Sequence, residues 1–186
     1  SPGNERDNAM ESRRRRRRSQ LLKWGCYGLG LLICTVLQTC PGLFQLGQAK
    51  PLYLLPLCLA VASFEGEFAG ALFGAVCGLM WDWTAGRTAG LLALALMMLA
   101  FGMSVAVQLF LKCSTPNFVL VSVGCALLLL LSDFMFFYVM PGYVGAAQRV
   151  VTFILPCAVL TGPVSAPLFW LVRRINAEFA IDTGAI

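Results

Sequence analysis

Four acids and one base fall at or near membrane depth in an otherwise apolar sequence: Glu65, Glu67, Asp82 and Asp133, with Arg87. Charges at that depth are costly, and they mark ion or proton paths, ligand contacts or ion pairs between helices. Asp82 and Arg87 could pair and cap a turn between two spans; the blander account is an interfacial structural pair. Asp133, about two turns before the end of an apolar run, could hold an ion or a proton. More often such an acid bonds a neighbouring helix or reaches the interface. The chain has no histidine, and no second acid lies close to Asp133 in sequence, so no catalytic acid–base dyad can be named. The eight cysteines make no CxxC pair and sit mostly in apolar runs, where they read as small buried residues and not as a metal or redox site. There is no phosphate-binding loop, nucleophile elbow or dinucleotide fingerprint. These residues therefore predict no enzyme and no cofactor.

The most informative pattern is glycine. Gly66, Gly70, Gly74 and Gly78 recur every four residues, Asp82 takes the next place, and Gly86 and Gly90 continue the register. Four residues advance about 400° around a helix, so these positions form one slowly drifting stripe. In lipid, helices associate through close packing and hydrogen bonds, because the solvent is already apolar. The stripe thus predicts a helix-packing surface, against a neighbouring span or against another protein.

The elements that carry these residues must be membrane helices. Of 186 residues 59% are hydrophobic and 12% charged, about half the charge of an ordinary soluble domain. Residues 1–10 are polar and are set aside. Arg13, Arg14, Arg15, Arg16, Arg17 and Arg18 form a run that reads as an anchor for topology and anionic lipids, with no nucleic-acid role. The charge-free stretch 24–46 is long enough to span and to stay in the membrane. Residues 51–64 and 68–81 are apolar but only 14 long each, separated by Glu65, Gly66 and Glu67. They predict two short spans with a tight turn near Glu65, or a re-entrant pair. Residues 88–111, 118–140 and 150–172 complete six spans.

Six spans place both termini on one side. With that side cytoplasmic, Arg6, Arg13 to Arg18, Lys23, Lys112, Arg173 and Arg174 lie inside, 11 of the 14 basic residues, as the positive-inside rule asks. The expected fold is an all-α integral membrane bundle of about six helices with both termini cytoplasmic. Residues 1–20 would form a disordered basic tail, 21–175 the membrane domain and 176–186 a short cytoplasmic tail.

With its basic start, its Pro51 lead-in and its Gly70–Gly74–Gly78–Asp82 series, followed by Thr88–Ala89–Gly90–Leu91, the chain resembles the rod shape-determining protein MreD family. That resemblance implies a bacterial inner-membrane scaffold of the cell-elongation and peptidoglycan-synthesis complex. Its implied partners are membrane lipids, MreC and, through it, MreB and the RodA–transpeptidase synthase. The family is also similar in general form to substrate-binding subunits of energy-coupling-factor vitamin transporters, the alternative function. That alternative requires a polar pocket near the outer face, which only Asp82, Arg87 and Asp133 could line.

Overall fold

A computed structural model describes residues 2–42, 47, 49–86, 90–112, 114–142 and 144–184. A backbone in lipid finds no water to bond, so apolar segments satisfy their own amides as helices. The described residues form α1 (Pro2–Thr39), α2 (Leu54–Glu65), α3 (Glu67–Ala85), α4 (Leu91–Leu109), α5 (Thr115–Phe134), α6 (Ala146–Arg149) and α7 (Leu155–Gly184). A π-helical turn, Met135–Val139, prolongs α5, and another, Val150–Ile154, joins α6 to α7. Five stretches are long and apolar enough to cross a membrane: Glu5–Thr39, Glu67–Ala85, Leu91–Leu109, Thr115–Val139 and Ala147–Phe179. The protein is an all-helical membrane protein.

Two elements differ from the sequence expectation. The segment expected as two apolar runs of equal length folds as a 12-residue α2 and a 19-residue α3. Only the second has spanning length; α2 measures about 18 Å against a hydrocarbon core of about 30 Å. The arginine run, expected in a disordered tail, is helical and continuous with the first span. Arginine is a good helix former, and a lipid-embedded helix below it removes the nucleation cost.

The short helix is the centre of the molecule. Leu54 to Ala62 are all buried, most at 0% exposure. α3, α4, α7, α1 and α5 all pack against it. A helix apolar on every side belongs inside a bundle. α3 divides its faces instead. Gly70, Phe73, Gly74, Cys77, Gly78 and Asp82 point inward, while Phe68, Leu72, Val76, Leu79 and Trp83 lie exposed on the opposite row.

Candidate packing and partner-binding site

The glycine stripe is organised around one residue. Gly66 is the whole connection between α2 and α3, at φ 92° and ψ −178°, a region essentially reserved for glycine. The turn folds the two helices into a hairpin whose facing residues are equidistant from Gly66. A Cβ on Gly70 would lie 2.7 Å from the Ala62 Cα, and one on Gly74 would lie 3.1 Å from the Cys58 Sγ. α4 covers the same stripe from the other side. The Gly74 position would meet the Leu96 carbonyl oxygen at 2.8 Å and the Ala100 Cβ at 2.9 Å. Gly78 is tightest, with the Ala93 Cα 2.2 Å and the Ala93 nitrogen 2.5 Å from where its Cβ would stand. Gly70, Gly74 and Gly78 therefore face α2 and α4 of the same chain. Of the two surfaces the spacing allowed, the intramolecular one is occupied.

Asp82 ends the stripe. It is 1% exposed, and its Oδ2 accepts a 2.9 Å hydrogen bond from the Gly90 amide. Gly86, φ 63°, ends α3 by donating its amide to the Asp82 and Trp83 carbonyls; Gly90, φ 118°, precedes α4. The carboxylate thus stands at the positive end of α4, where helix dipole and free amides favour an anion. The expected pairing of Asp82 with Arg87 lies outside the described residues. Glu67 opens α3, half-buried, again at a helix start. Asp133 is half-buried near the end of α5.

Glu65 works differently. Its Oε1 forms an ion pair with the Lys23 ammonium and accepts a 2.9 Å hydrogen bond from the Tyr27 hydroxyl. Both charged side chains are nearly buried, so the pair is screened little and each partner leaves a costly charge if the other is removed. Tyr27 packs edge to face on Trp24 and on Phe73 beside it, and Trp24 lies tilted against Phe73, with ring centroids 5.6 to 6.4 Å apart. Next to Glu65, Phe64 lies tilted against Phe169, which stacks on Phe118, joining α2, α7 and α5 at that end. In the sequence Lys23 counts only as a topology charge, and the signal for its pairing is the opposite charge at the facing end of the next apolar run.

Two residues escaped the sequence reading altogether. The lead-in to α2 is not helical, so its amides need outside acceptors. Pro51 has none to satisfy. The Leu52 amide donates to the Thr161 Oγ1 at 3.2 Å, and the Tyr53 and Leu54 amides donate to the Gln38 Oε1 at 3.3 and 3.2 Å. Gln38 stands 15 residues beyond Lys23, about 22 Å along α1, and Thr161 stands 12 residues before Arg173, about 18 Å along α7. Both lengths are shorter than a hydrocarbon core of about 30 Å. Non-helical backbone is tolerated at such depth only where protein satisfies it. Polar residues isolated within apolar runs were the only sequence trace.

Arg13 to Arg18 are exposed on α1. Six consecutive residues at 100° each point to every side of a helix, giving a cationic collar. Among the described residues no three His, Cys, Asp or Glu side chains gather as a metal ion would need. No curated protein and no solved structure matches the chain. The family model described as rod shape-determining protein MreD matches residues 18–175, from the last arginine of the collar to Ile175 within α7. The chain belongs to the MreD family.

Proposed function

We propose that this protein is a non-enzymatic scaffold of the bacterial cell-elongation complex, held in the inner membrane with both termini in the cytoplasm. Membership of a family named for rod shape determination carries this reading. The partners it implies are MreC and, through MreC, MreB and the RodA–transpeptidase synthase. The disposition of the charged groups supports a structural role. Glu65 is engaged by Lys23 and Tyr27, and Asp82 by the Gly90 amide. In the transporter alternative Asp82 would be turned to a ligand.

Six crossings follow if α2 and its extended lead-in together pass through the bilayer. The four non-helical residues 49–52 could add at most about 13 Å to the helix, at about 3.3 Å each. The ion pair of Lys23, where the apolar part of α1 begins, with Glu65 at the end of α2, and the bonds of Gln38 near the end of α1 to the start of α2, support opposite directions for these two helices. Because the glycine face is filled from within, partners must use other surfaces, and the Phe68–Leu72–Val76–Leu79–Trp83 row of α3 is available to one. Depletion of the protein from the cells that make it tests the proposal. Cells are expected to widen and round while the membrane stays intact; rods of unchanged width would overturn it.

A further inference from the structure

α1 and α7 leave a groove of about 410 Å³ between them, with Gly30, Ile33 and Leu37 on one wall and Pro163, Pro167 and Leu171 on the other. That volume lies in the range of small-molecule sites, about 300–1,000 Å³. Gly30 helps keep it open: a Cβ there would meet nothing nearer than the Leu57 Cδ1 at 3.9 Å. The groove has a polarity along its length. Pro163, Pro167 and Leu171 follow one another at four-residue spacing, and Arg174 comes next on the same face of α7. Arg173 and Arg174 are both exposed. The guanidinium of Arg174 lies 5.2 Å from the Trp170 ring and 3.8 Å from the Glu178 carboxylate, an exposed and weak pair. On α1 the same end leads toward the arginine collar.

From Leu171 to Pro163 is about 12 Å along the helix, close to the roughly 15 Å that one leaflet contributes to a core of about 30 Å. The walls are thus apolar over one leaflet's depth and cationic where that leaflet's headgroups lie. A phospholipid has this division of apolar tail and charged phosphate built in. We infer that the groove between α1 and α7 holds an acyl chain of an anionic phospholipid, with its phosphate on Arg173 and Arg174.

The test uses the full-length protein in phosphatidylcholine nanodiscs doped with phosphatidylglycerol that carries a diazirine in its tail. After illumination, adducts are mapped by peptide mass spectrometry. They are expected on α1 between Gly30 and Leu37 and on α7 between Pro163 and Leu171. The same diazirine tail on phosphatidylcholine should label these segments less, by about fivefold for each arginine that holds the phosphate. Arg173→Ala with Arg174→Ala should bring phosphatidylglycerol down to the phosphatidylcholine level. Gly30→Phe should reduce labelling by both lipids. The arginine pair lies outside the groove, so it decides the matter even if Gly30→Phe fails to fold. Equal labelling by the two headgroups, adducts spread evenly onto the Phe68–Trp83 row, or a co-purified transmembrane helix shielding the groove would each overturn the inference.

Discussion

Gly78→Ala is the smallest change that tests how the helices are held. The added Cβ would stand 2.2 Å from the Ala93 Cα, 2.5 Å from the Ala93 nitrogen and 2.6 Å from the Leu92 carbonyl oxygen. Ordinary carbon contacts begin near 3.5 Å, so α3 and α4 must separate by about 1.3 Å. Every atom in the way is backbone, and no rotamer change relieves it. Overpacking of this kind costs about 1–3 kcal/mol, and backbone neighbours favour the upper part of that range. At about 3 kcal/mol the folded-to-unfolded ratio falls more than a hundredfold. Purified protein titrated from mild detergent into dodecyl sulfate, followed by tryptophan fluorescence, should show the midpoint shift. Gly102→Ala, where a Cβ meets nothing within 4 Å, should unfold with the parent. Ala93→Gly should fail to rescue Gly78→Ala, because the Ala93 side chain is not what the new methyl strikes. If Gly78→Ala matches the parent in isolation and loses only partner binding, the stripe is an interface with another protein and this packing is wrong.

Gly66→Ala meets no neighbouring atom but must adopt φ 92°, ψ −178°; it should lose about 1–3 kcal/mol from strain alone, read in the same titration against Gly28→Ala. Thr161→Val and Gln38→Leu strand the amides of Leu52 and of Tyr53 and Leu54, and each should lose about 1–3 kcal/mol; Thr161→Ser, which keeps an Oγ, should recover most of the loss. For topology, single cysteines introduced at Gly145 should react with an impermeant maleimide outside intact cells, and those at Ser114 and Asn176 should not; strong outside labelling at Asn176 would remove the six-crossing arrangement.

What the sequence made legible is what composition and spacing control. The long charge-free runs around α1, α4, α5 and α7 are visible because lipid demands uninterrupted apolar length. The break at Glu65–Gly66–Glu67 is visible because one straight helix there would be too long and would carry two acids at its middle. The four-residue glycine register announces a packing face; the structure limits that face to Gly70, Gly74 and Gly78, filled by α2 and α4, and places Gly66, Gly86 and Gly90 at positive φ in the turns. The length of α2 was not legible, since where it begins depends on hydrogen bonds to Gln38 and to Thr161, which is 109 residues from its partner. The same holds for Lys23 and Tyr27 with Glu65, whose meeting depends on the α1–α2 packing. The helical form of Arg13 to Arg18 was hidden because a charge run carries no periodicity of its own, and its order comes from the span it continues.

The most direct test of the scaffold reading is purification of the tagged protein from its native membrane, with the bound proteins identified and the intact particle weighed by native mass spectrometry. The scaffold account predicts recovery of cell-wall elongation proteins. It also predicts that Asp82→Asn, which keeps the shape and most of the hydrogen-bonding capacity of the side chain, weakens that recovery only modestly, with Asp82→Leu weakening it more. A stoichiometric vitamin-sized ligand that disappears in Asp82→Asn, with no elongation proteins recovered, would contradict it.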